Sequence, residues 1–92
     1  MRKNSLDKIR KIVDNIDFRI VALLNMRASK ALQIGLEKKK AGMPVVDLKR
    51  ERQILARIAA INKGPLTNKQ VCKVYKSIIA SCRDLQKSIN QK

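Results

Sequence analysis

The stretch SLDKIRKIVDNIDFRIVALLNMRASKALQIGLEKKK, residues 5–40, decides the fold. Leu6, Ile9, Val13, Ile16, Ile20 and Leu23 follow one another at alternating steps of three and four, and Ala31 and Ile34 resume the series. That is the spacing of one face of an α-helix. Pro is absent and Gly is withheld until Gly35, so the reading is a single helix with Ser5 as its N-cap, running to about Lys40. At 1.5 Å per residue it is roughly 50 Å long, well beyond the compact diameter expected for a chain of this size. A solvated helix of that length would be polar on all sides, whereas this one carries a continuous aliphatic seam. Most of the seam therefore calls for cover by another subunit.

Beyond residue 40 the pattern breaks at Ala41-Gly42-Met43-Pro44, where Pro44 disfavours helix at the residue before it and Gly42 permits a turn. Asp47 then offers an N-cap for a second helix carrying Leu48, Leu55, Ile58 and Ile61, ending near Gly64-Pro65. Thr67-Asn68-Lys69-Gln70 has the form of a capping box. It opens a third helix with Val71, Val74, Tyr75, Ile78, Cys82, Leu85 and Ile89 inward. The expectation is an all-α fold of three helices, long, short and medium, in one domain over residues 1–92. No internal repeat or β-alternating segment argues for more.

Composition narrows the chemistry. The 92 residues carry 22 Lys and Arg against 7 Asp and Glu, a formal net charge of +15, so the expected ligand is an anion. With 45% hydrophobic but only 2% aromatic residues, the core is aliphatic. No apolar run approaches the roughly 20 residues of a bilayer span. No signal-type region follows the basic start Met1-Arg2-Lys3-Asn4, so no membrane partner and a cytoplasmic location are expected. Cys72 and Cys82 lie ten residues apart in one helix, about 15 Å of rise, and are read as reduced thiols. With no His and no CxxC pair, the usual zinc sets cannot be assembled and histidine general-base catalysis is excluded.

The informative residues are polar ones on apolar stripes, since a buried charge needs a counter-ion. Arg27 falls on the seam between Leu23 and Ala31, either snorkelling, pairing across a dimer, or holding a ligand. Lys38 follows it by eleven residues, close to three full turns, so the two share a face; Lys39 and Lys40 beside it also allow a plain solvated run. Glu51 sits on the second helix's stripe beside Arg50 and wants a cation, either within its own helix or across subunits, with a lysine or arginine of the long helix as a candidate. Gln86 lies one turn beyond Cys82 and two beyond Ile79, an amide at the edge of an apolar face. A shared polar pocket would satisfy all of them. Its inventory of cations, an acid and an amide, without a nucleophile beside a base, a metal set or a phosphate-cradling glycine loop, suits binding a small polyanion and stabilising charge in a transition state.

Leu6-Asp7-Lys8-Ile9-Arg10, Ile16-Asp17, Leu23-Leu24-Asn25-Met26-Arg27, Gly35, Lys38, Pro44 to Arg52 and Ile78 to Gln86 together resemble, in order and spacing, the all-helical chorismate mutases. The likeness runs over roughly residues 5 to 90, and its most distinctive piece is Asp47-Leu48-Lys49-Arg50-Glu51-Arg52. It implies an intertwined homodimer with two active sites shared between chains, converting chorismate to prephenate in aromatic amino acid biosynthesis, without cofactor. By the family's pattern, Arg27 and the other subunit's Arg10 would clamp the substrate carboxylates, with Arg50 facing them. Lys38 and Gln86 would donate to the ether oxygen, and Glu51 with Asp47 would meet the ring hydroxyl. Cys82 stands where the family commonly has Ser, a weaker donor, with Ser81 as the alternative after a small helix rotation.

Within the fold, the rival is an isochorismate pyruvate lyase, whose relatives lack an acid at the position of Glu51. From another class, the charge alone would suit a basic helical nucleic-acid-binding protein. One Tyr, one Phe and no recognition motif argue against it. A regulatory dimer that has lost activity is a third reading, opposed by the retained pocket residues. The sequence names no activating partner enzyme.

Overall fold

The computed structural model describes residues 2–90, with side-chain environments for residues 4–89. Its order is α1 (Arg2–Lys40), α2 (Leu48–Ile61) and α3 (Asn68–Asn90). The expected helix start is corrected: α1 continues through Ser5 to Arg2, because residues 2–4 contain no breaker and Arg and Lys propagate helix well. The other boundaries follow local chemistry. Gly42, at φ 68°, closes α1 with paired bonds from Gly42 N to Lys39 O at 3.2 Å and from Met43 N to Lys38 O at 2.8 Å. Asp47 caps α2 by accepting from Arg50 N at 3.0 Å. Thr67 and Gln70 form a reciprocal box, Gln70 N to Thr67 Oγ1 at 3.1 Å and Thr67 N to Gln70 Oε1 at 3.0 Å.

The middle element is α3, which packs on α1 along one side and on α2 along another. Ile54, Ile58 and Ile79 are the centre of the α2–α3 contact, with Leu55, Val71 and Tyr75 against them. The expected inner faces shift accordingly. Leu48, Ile61 and Val74 are exposed, while Ile54 and Ile79 are buried, because in the adjacent apolar pairs Ile54-Leu55 and Ile78-Ile79 periodicity alone does not say which member faces the neighbour. Among the described residues no helix is long and apolar enough to cross a membrane, and Cys72 and Cys82 are free thiols.

Among the described residues, nothing of the chain itself covers the apolar seam along the first half of α1. Ile9 is 58% exposed and Leu23 62%, along a seam that also leaves Leu6, Val13, Ile16 and Ile20 in the open. The radius of gyration is 17.0 Å, against about 12 Å for a compact domain of this length. The accessible surface of 7773 Å² is some 2,300 Å² above the roughly 5,400 Å² of a compact monomer of equal mass.

Candidate active site

Because α3 lies between α1 and α2, the two outer helices stand apart and leave a cleft of about 270 Å³ above α3. That is close to the lower end of the roughly 300–1,000 Å³ of small-molecule sites. From α1 it receives Arg27, Lys30, Ala31, Ile34 and Lys38; from the loop and α2, Val45, Asp47, Arg50, Glu51, Ile54 and Arg57; from α3, Ile79, Cys82, Arg83 and Gln86. Seven of the eight expected site residues thus meet in one place. The eighth, Arg10, is exposed and lies seventeen residues before Arg27 on the same helix, about 25 Å away along the axis.

Each polar group is held by a specific partner. Lys38, half-buried at the end of α1, donates from Nζ to Val45 O at 3.0 Å, tying the following loop to its own helix. Gln86 is 9% exposed and donates from Nε2 to Ala31 O at 2.7 Å, so the buried amide is satisfied by α1 backbone. Gly35 makes this approach possible: a Cβ there would meet Gln86 Cγ at 3.1 Å. Arg27 donates from Nη1 to Cys82 Sγ at 3.2 Å. Cys82 is buried and faces the cleft, whereas Ser81 is exposed and lines a groove between α1 and α3 that includes Leu24 and Leu85; Ser81 does not take its place. The partner of Glu51 is corrected. It is Arg83 of α3, with Nη1 at 3.1 and 2.9 Å from the two carboxylate oxygens, and not a cation of the long helix.

Three cleft cations escaped the sequence reading: Lys30, Arg57 and Arg83. A signal existed for the first two, since Lys30 is one turn beyond Arg27 and Arg57 two turns beyond Arg50. Arg83 pairs with Glu51, but Arg27, Lys30, Lys38, Arg50 and Arg57 have no carboxylate within 4.0 Å among the described residues. Two acids, Asp47 and Glu51, share the cleft with six cations, and Asp47 is engaged as the α2 cap. Such an arrangement attracts a ligand with more than one negative charge and opposes a positive one. Fixed N–H donors on a partly apolar floor of Ala31, Ile34, Ile54 and Ile79 can also stabilise charge that develops during a reaction.

Residues 9–87 match the family model described as chorismate mutase type II. The chain is 39% identical over 88 residues to the bifunctional chorismate mutase/prephenate dehydratase of Aquifex aeolicus, an alignment covering 91% of this chain and 24% of that protein. It is 32% identical over 83 residues to the chorismate mutase of Methanocaldococcus jannaschii, covering 89% of this chain and 84% of that one. The solved structure of chorismate mutase (form II) from Thermus thermophilus superposes with a TM-score of 0.88 at 33% identity, over 89% of this chain and 93% of that chain. The chain therefore spans about a quarter of the length of the bifunctional relatives and most of the length of the shorter ones.

Proposed function

The chain belongs to the chorismate mutase type II family, and from that premise we propose that residues 1–92 form one domain that rearranges chorismate to prephenate. The observation that carries the reading is the convergence of Arg27, Lys38, Arg50 and Gln86 from three helices on one cleft whose cations, Arg83 excepted, have no carboxylate partner among the described residues. The substrate is a dianion, and those are the groups that bind and polarise it.

The reaction is a Claisen rearrangement: a carbon–oxygen bond breaks as a carbon–carbon bond forms, and no proton changes place. A nucleophile, a proton shuttle and a cofactor are all unnecessary. The protein must fold the enolpyruvyl side chain over the ring and stabilise the negative charge growing on the ether oxygen. In this reading Arg27 and Arg50 take the carboxylates through charge-assisted hydrogen bonds. Lys38 and Gln86 donate to the ether oxygen, and Glu51 with the free oxygen of Asp47 accepts from the ring hydroxyl. Cys82 tunes Arg27 through the Nη1 to Sγ contact.

The reading extends to a homodimer. The uncovered seam of α1 and the excess surface support it, since obligate interfaces of 2,000 Å² and more are the usual cover for such a face. A partner laid along that seam brings its own Arg10 to this chain's cleft, making each site from two chains. Purified protein added to chorismate should lower its absorbance and yield prephenate without pyruvate. Pyruvate from isochorismate would point to the lyase instead, and no turnover of either would remove the reading.

A further inference from the structure

Arg83 has no part in the mechanism above, yet among the described residues it is the one cleft cation with a carboxylate partner. Its Nη1 straddles both oxygens of Glu51, at 3.1 Å to Oε1 and 2.9 Å to Oε2, with the two side chains 29% and 23% exposed. Glu51 comes from the first turn of α2 and Arg83 from α3, one residue after Cys82 and three before Gln86. A glutamate has three rotatable bonds, and from the first turn of a helix it can swing toward solvent. Holding both oxygens on one N–H group fixes where its remaining lone pairs point.

Charge gives the pair a second consequence. A bare carboxylate on the wall of a cleft that receives a dianion repels the ligand. Paired with Arg83, it is locally neutral and still an acceptor. We propose that Arg83 is a positioning residue for substrate recognition: it aims the Glu51 carboxylate at the substrate's hydroxyl and cancels its repulsion toward the substrate's carboxylates. This rests on the chorismate mutase reading of the cleft.

A hydroxyl contact present before and during the rearrangement is uniform binding, so its loss appears in KM and leaves kcat little changed. A purely structural role, joining α2 to α3, would instead reduce the folded fraction and lower kcat at constant KM. Ile54, Ile58 and Ile79 already supply the apolar contact between those helices.

The test is a double-mutant cycle on the full chain, measuring kcat and KM for chorismate in wild type, R83Q, E51Q and R83Q/E51Q, with R83K as a fifth protein. R83Q is expected to raise KM about tenfold, the weight of one charge-assisted contact, with kcat within about twofold of wild type. In the E51Q background the same change should do nothing further, because Arg83 acts only through Glu51. R83K keeps the charge and should recover KM to within about threefold. Losses that multiply in the double variant, an unchanged KM in R83Q, or an R83K no better than R83Q would each overturn the proposal. An inactive wild type removes the functional reading and this proposal together, whereas an active wild type with multiplied losses removes this proposal alone.

Discussion

If each site takes Arg27 from one chain and Arg10 from the other, two dead enzymes should make a live one. Arg10 cannot serve its own cleft, since the step of seventeen positions from it to Arg27 runs along one unbroken helix and corresponds to about 25 Å. Replacing either arginine by Ala removes a charge-assisted clamp, at about 2–5 kcal/mol, or roughly 30- to several-thousand-fold in kcat/KM. In an equal mixture after full exchange, half of the dimers pair an R10A chain with an R27A chain. Each such dimer has one site with both arginines and one with neither, so about a quarter of all sites are restored. The assay is the initial rate of chorismate loss before and after mild denaturation and refolding of the mixture, with exchange confirmed by a mass label on one partner. No recovery above the sum of the parents, with exchange confirmed, would refute the two-chain site and place Arg10 outside it.

Replacing Gly35 by Ala puts a methyl 3.1 Å from Gln86 Cγ and 3.4 Å from Ile89 Cδ1; a stability loss of about 1–3 kcal/mol in urea unfolding is expected. Its kcat should fall more than its KM changes, and a kcat equal to wild type would show that Gln86 is not positioned by this approach. Changing Ile16 to Asp places a charge in the uncovered seam. Sedimentation should then find monomer or unfolded chain where wild type is dimeric, and wild type should melt at a temperature that rises with concentration; a wild type that stays monomeric at high concentration would sink the dimer. Cys82→Ser should lower KM by about two- to fivefold, because a hydroxyl hydrogen-bonds better than a thiol beside Arg27; a raised KM would mean that the sulfur packs rather than bonds.

What could be read from the sequence was local or periodic. Asp47 and the Thr67–Gln70 box satisfy backbone groups within one turn, so the α2 and α3 starts are visible without any tertiary knowledge. Arg27 stood out because it interrupts an aliphatic seam, and Lys38 because eleven residues is three turns. The cleft-facing stripe Ile79, Cys82 and Gln86 is harder, since Ile78 and Leu85 make an equally good stripe one residue earlier. Only the position of α1 chooses between them. Arg83 was illegible for a related reason. Among 22 basic residues it carries no sequence mark, and its meaning comes from α2 placing Glu51 opposite it. Ser5 misled because its capping preference is real but weaker than the continuous helix around it.

The two groups proposed for the ether oxygen are already engaged, Lys38 with Val45 O and Gln86 with Ala31 O, and this argues for their role. A lysine ammonium has three N–H bonds and a glutamine amide two, so each anchors itself with one and keeps at least one more. Both anchors are backbone carbonyls, Ala31 O within α1 and Val45 O in the loop that follows it, and neither depends on the rotamer of the residue that accepts. Free, a lysine in water would reorient as charge developed, and that reorientation is the cost an enzyme must avoid at the moment of reaction. Holding the donors in place beforehand moves that cost into folding, where Gly35 and the loop turn at Gly42 make the geometry available. A site that works by fixed dipoles needs rigid supports more than reactive groups, so the want of histidine and of metal ligands in the usual spacing is no obstacle to the proposed reaction.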